Sequence, residues 1–161
     1  MKKLFLVIGV ISFLFLVGFI YLKANPPLAV PGITFYTYEE TKRIVSIENN
    51  GFTSIKLKNV LVNGKKAKNV ELGVSRTLQM VSGTIRDGEQ ITFHNINEFD
   101  VKPRLRDEEI TRIIEEEKGD RQTIIHYGLR VTGNEPPEKI TIKYTYLGIP
   151  YSIEVDVKEE R

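Results

Sequence analysis

The chain of 161 residues, 41% hydrophobic and 27% charged with 12 Gly and 7 Pro, has the length of one domain plus an appendage and the composition of a folded protein. That excludes collagen-like, long coiled-coil and wholly disordered chains. The formal charge of +2 belongs to the amino end: setting aside Lys2, Lys3 and Lys23 leaves 20 basic against 21 acidic side chains, too even a balance for a broad nucleic-acid footprint.

Cysteine is absent, which removes disulfides, thiol nucleophiles, iron–sulfur clusters, cysteine-ligated zinc and the lipidated cysteine of a lipoprotein. If the folded part lies in an oxidising compartment, its core alone must hold it. No cofactor is expected.

Residues 4–22, LFLVIGVISFLFLVGFIYL, carry no charge and one strongly polar side chain, Ser12. As a helix they extend about 28 Å, close to the hydrocarbon thickness of a bilayer. A cleaved signal peptide has a shorter apolar stretch and a small-x-small cleavage site, whereas Lys23-Ala24-Asn25-Pro26-Pro27 follows here, so residues 1–23 read as a retained signal anchor. Lys2 and Lys3 bias the amino end to the cytoplasm and the remainder to the outside. Tyr21 sits where an interfacial aromatic belongs, and Lys23 is placed to snorkel to headgroups. Gly9, Ser12 and Gly18 lack the GxxxG spacing of a helix-pairing motif. Pro26, Pro27 and Pro31 make residues 24–32 a semi-rigid juxtamembrane spacer, and residues 33–161 the extracytoplasmic domain.

From Phe35 onward the dominant period is two, the signature of half-buried strands. Residues 43–48 form a strand ending at the Asn50-Gly51 turn. In residues 53–62, Ile55 and Leu57 share a phase from which Val60 and Val62 are shifted by one, which predicts a bulge near Asn59. Asn63-Gly64 is a hairpin signal, after which Val70, Leu72 and Val74 alternate with polar or small residues. Ile91 and Phe93 mark a strand after an Asp87-Gly88 turn, and residues 122–131 another, with Ile125, Tyr127, Leu129 and Val131 on one face. Two strands in residues 139–158 are joined at Gly148-Ile149-Pro150 and form the clearest hairpin.

Residues 107–119 interrupt the strands with a short amphipathic helix: Asp107 as cap, Ile110, Ile113 and Ile114 as its stripe, Lys118-Gly119 as its end. It is expected to close the core as a crossover. About seven strands with one short helix predict a mainly β fold, an immunoglobulin-like or fibronectin-like β-sandwich behind a transmembrane helix; a small barrel is the alternative.

No HExxH, GxSxG, P-loop or GxGxxG occurs, and His94 and His126 are the only histidines. The carboxylates of Glu108, Glu109, Glu115, Glu116 and Glu117 lie on a solvated helix, without the opposed cleft of a glycosidase or the loop spacing of an EF-hand. The tyrosines at 127, 144, 146 and 151 share the apolar phase of their strands, which reads as core packing rather than a ligand platform. Lys56, Lys58, Lys65, Lys66 and Lys68 form the one local basic group, an interaction surface for anionic lipid or an anionic envelope polymer, or equally lysines that keep a sheet face soluble.

These features describe a single-pass, membrane-anchored extracytoplasmic structural or interaction module without catalytic activity. Its partners would be the membrane, through residues 4–22, and an envelope polymer or a membrane protein. An accessory or sensory subunit acting through the transmembrane helix is the alternative, ahead of an envelope hydrolase.

Overall fold

The computed structural model describes residues 2–36, 38–81, 91–116 and 123–157. In chain order these form α1 (Lys2–Ala24), β1 (Leu28–Phe35), β2 (Lys42–Asn49), β3 (Lys56–Val62), β4 (Lys65–Lys66), β5 (Asn69–Ser75), β6 (Ile91–Asn95), α2 (Asp107–Glu116), β7 (His126–Thr132), β8 (Lys139–Tyr146) and β9 (Ile149–Asp156). The expected Asp87-Gly88 turn, Lys118-Gly119 helix end, and residues Glu117 and Gln122 lie outside the described residues.

The strands make two sheets, ordered β1-β2-β7-β5-β6 and β4-β3-β8-β9, and the fold is a sandwich-like arrangement behind an apolar amino-terminal helix. Alternation puts one face of each strand inward. Val45, Ile47, Leu72, Val74, Leu129 and Val131 from the larger sheet meet Leu57, Val60, Val62, Ile140, Ile142 and Tyr144 from the smaller, nearly all inaccessible to solvent. The tyrosines follow their phase: Tyr127, Tyr144 and Tyr146 are buried, and Tyr151 stacks on Tyr144 with ring centroids 5.3 Å apart. Burial pushes the Tyr144 hydroxyl up to about 12, with the Leu28 amide acting against it.

The phase change near Asn59 is a register irregularity between Leu57 and Asn59 in the β3–β8 pair, and it keeps Leu57, Val60 and Val62 all facing inward. The Asn63-Gly64 turn is present, with positive φ at both residues (50° and 78°), the hairpin geometry that matches strand twist. The carboxyl-terminal hairpin turns one residue earlier than expected. Tyr146 pairs with Ile149, so Leu147-Gly148 is the two-residue turn, with φ of 51° and 76°, and Pro150 belongs to the edge strand β9, where its missing amide is tolerated.

Residues 28–32 of the expected spacer are strand. Asn25 ends α1 by donating both its backbone and its side-chain nitrogen to the Tyr21 carbonyl, at 3.1 and 2.9 Å. β1 then pairs antiparallel with β2, and Pro31 falls where the register slips between Ala29 and Gly32, on an edge strand. The prolines exclude helix, but a bulged edge strand admits them.

The larger sheet also carries apolar groups on its outer face. Register aligns Ser46, Gly128, Gly73 and Phe93 across four strands, leaving a trough at the two glycines. Val81, 1% exposed, fills it and joins Ile44 and Ile91 in a second small core, edged by Tyr36 and Phe93. Beside it Arg130 lies over the Phe93 ring, 3.6 Å from its centroid, and binds Glu71 at 2.8 Å, holding that carboxyl below its ordinary range.

The helix over 107–116 forms, but it does not close the core: none of its side chains is fully buried. It lies in the connection from β6 to β7, which flank β5 and run parallel, so a crossover is required. Arg106 rather than Asp107 holds the cap position; its carbonyl accepts from the Ile110 amide, and its own amide donates to Glu109 at 2.8 Å.

Candidate functional site

The five lysines are solvent-exposed but do not make one patch. β3 carries Lys56 at its start and Lys58 two residues on, on the outward face; Lys65 and Lys66 form β4 beyond the far turn, and Lys68 follows where the chain leaves for the other sheet. Seven residues of strand extend about 20 Å, so Lys56 and Lys66 mark opposite ends of the sandwich. Lys65 pairs with Glu135 at 3.1 Å. The basic group that is compact in sequence is a string in space.

The two histidines are also separated. His94 is opposite Leu72 in the sheet and so shares its inward face near the edge, with Thr92 at 2.7 Å and the Phe99 ring at 4.5 Å. His126 is opposite Ser75, three positions along β5 and therefore on the other face. One ion cannot be held by both. The helix carboxylates Glu108, Glu115 and Glu116 are exposed, and Glu109 is drawn below its ordinary range by the Arg106 amide and then its guanidinium.

A groove beside α2 gathers Ile47, Leu78, Ile110, Ile124, His126 and Tyr127. Burial pulls His126 below its ordinary value, with Glu48 opposing and Arg104 assisting. A histidine kept neutral in this way supports the fold above about pH 6.5. Below that the unfolded chain takes the proton first, and stability falls until the folded value is passed. Denaturant midpoints of the detergent-solubilised protein between about pH 7 and 5.5 are therefore expected to drop, and His126→Gln to flatten that drop. Parallel curves for the two proteins would refute the burial argument.

The most built feature is the junction of α1 with the sheets. Tyr151 donates its hydroxyl to the Leu22 carbonyl at 3.0 Å, and Lys23 places its ammonium 2.5 Å from the Pro150 carbonyl and 4.7 Å from the Tyr151 ring centroid. On the other sheet, the Asn50 amide donates to the Pro27 carbonyl at 2.8 Å and the chain enters β1 at Leu28. The helix end is thus tied to both layers. Next to it Asn49, 1% exposed, donates to the carbonyls of Thr53 and Val101 and accepts from the Gly51 amide. By residue type and position Lys23 reads as a headgroup ligand and Tyr151 as core; a cation and a tyrosine 128 positions apart give no local signal of their contact.

Apart from its polar ends, α1 is long and apolar enough to cross a bilayer, and residues 6–24 are unburied except for partial cover at Leu22. The protein is a membrane-anchored, mostly β module. No known protein family matches the chain, and comparison with curated proteins and with solved structures finds no significant match.

Proposed function

We propose that the protein is a single-pass, extracytoplasmic structural or interaction module without catalytic activity, its domain held rigidly at the membrane surface. The observation that carries this reading is the junction: contacts from Tyr151, Lys23 and Asn50 fix the helix to both sheets, with no free linker between them. A tethered catalyst that must reach substrate gains nothing from such a clamp, whereas a spacer or docking platform does.

An immunoglobulin-like topology is supported by strand order. Taking β1, β2, β7 and β5 as A, B, E and D, and β4, β3, β8 and β9 as C′, C, F and G, reproduces the two-sheet order of that fold. β6 and α2 are then an insertion between D and E. Such sandwiches serve many functions, so the topology names no partner. Interaction surfaces consistent with it are the outward lysines Lys56 and Lys58 and the far turn at Lys65, Lys66 and Lys68, which suit an anionic envelope polymer or a membrane protein.

The same junction favours one further reading, an accessory or sensory subunit, because a clamped helix transmits a rotation that a flexible linker would lose. Protease treatment of intact or wall-stripped cells carrying a carboxyl-terminal tag tests the topology. The tag is expected to be digested from outside and the mature mass to retain residues 1–24; protection until lysis refutes the extracytoplasmic assignment. Exchanging residues 4–22 for an unrelated span separates the readings: a module keeps its function, and a subunit signalling through the helix loses it.

A further inference from the structure

We propose that the helix-proximal end of the sandwich is itself a lipid-binding surface, with the Leu147-Gly148 turn inserted into the leaflet beside α1 and the groove between them taking acyl chain. This rests on α1 spanning the bilayer.

The hairpin β8–β9 runs alongside the helix rather than away from it. Tyr151 meets Leu22, Lys23 meets Pro150, and nearer the turn Leu147 and Ile149 face Leu14, Phe15, Gly18 and Phe19 across a groove of about 500 Å³. Gly18 lies five residues before Lys23, about 7 Å deeper along the helix axis. Residues at that level are within the 5–10 Å to which interfacial apolar groups sink. A turn drawn to the level of Gly18 is therefore in the leaflet whenever α1 is.

The turn residue is itself unusual. Both hairpins of the smaller sheet close with two residues of positive φ, and the far one uses Asn63, a residue that tolerates this backbone. At the matching position the near one has Leu147, which is strained there and leaves its side chain 48% exposed. Water gives no reason for that choice, and hydrocarbon does. A two-residue turn also presents the fewest unpaired backbone groups to lipid, and at interfacial depth headgroups and water still reach them.

The rest of the domain shows the same polarity. Among the described residues, the large apolar side chains exposed outside α1 are Tyr38, Phe52, Leu78, Met80 and Leu147. Tyr38 lies in the β1–β2 loop at the far end. Phe52 follows Asn50, which bonds Pro27, and packs edge-on against Tyr146 next to the turn; Leu78 and Met80 follow the near end of β5. The apolar groups are thus concentrated on the end from which the helix emerges, while Lys65 and Lys66 occupy the other.

The chain contains no tryptophan, so a single one reports its own surroundings. Full-length Leu147→Trp, Phe52→Trp, Phe19→Trp and Lys66→Trp would be reconstituted in phosphatidylcholine–phosphatidylglycerol vesicles with and without brominated acyl chains. Expected are blue-shifted emission and loss of emission to bromine for Trp at 147 comparable to that at 19, a smaller loss at 52, and none at 66. Quenching at 19 with solvent-like emission at 147 overturns the proposal and leaves the anchor standing. Blue-shifted but unquenched emission at 147 assigns the groove to protein, whether α1 or a second copy, and also overturns it. An unquenched Trp at 19 removes the anchor reading and the proposal with it.

Discussion

Asn49→Ala is expected to destabilise the sandwich by about 2–4 kcal/mol, read as the midpoint of denaturant unfolding in detergent. The side chain is 1% exposed and makes three hydrogen bonds, to the Thr53 carbonyl at 2.8 Å, to the Val101 carbonyl at 2.9 Å and from the Gly51 amide at 2.9 Å. Truncation leaves the Thr53 carbonyl and the Gly51 amide without these partners, while Val101 retains the Ile55 amide at 2.9 Å. That residual bond keeps the expected loss below the full penalty for three orphaned groups. Asn49→Asp makes a sharper test, because a buried carboxylate would face two carbonyl oxygens. It is expected to cost more than Ala at neutral pH and to recover as pH falls. The sign follows from a folded-state pKa raised above the ordinary carboxylate value, so the folded form binds the proton more tightly. An alanine variant within about 0.5 kcal/mol of the parent would show that water replaces the amide.

Gly73→Ala and Gly128→Ala should each destabilise by about 1–3 kcal/mol through overpacking. A methyl at Gly73 would lie 2.7 Å from Val81 Cγ1 and 2.8 Å from Phe93 Cε1; one at Gly128 would lie 2.8 Å from Val81 Cβ. Neither position has the left-handed backbone that would itself demand glycine, so space alone sets the cost. Both methyls press on the same valine, so the double substitution is expected to cost less than the sum of the two. Val81→Ala should destabilise on its own by opening the small outer core, yet lessen the harm of Gly73→Ala, because it removes the Cγ1 that the added methyl meets first. Full additivity between Val81→Ala and Gly73→Ala would mean that the strain is relieved elsewhere.

Much of the fold was legible in the residues. Period-two alternation located β3, β5, β7, β8 and β9 to within a few residues, because an inward face must be apolar wherever one side of a strand is wet. Even the slip near Asn59 was visible, since one extra residue exchanges the faces of everything after it. Strand β1 was not visible. Its prolines argue against regular structure locally, and only the partner β2 makes an edge position where a missing amide does no harm. The outer core was hidden for a similar reason: Gly73, Val81 and Gly128 have no common pattern in sequence, and become neighbours only through the register of β5 and β7.

The candidate surfaces divided in the same way. The five lysines are exposed, but nearness in sequence does not gather them into one patch, because a strand carries its side chains away at about 3.3 Å per residue. The junction, the strained turn and the apolar rim around it were beyond sequence reading, each joining segments far apart in the chain. By itself the sequence determined an apolar helix of membrane-spanning length, alternating strands and a chemistry without thiols, since these depend on residue type and local period. The tertiary structure decided where those strands pair, that the domain is clamped to its helix, and which exposed apolar groups share one end, since these depend on contacts that only the assembled sheets create.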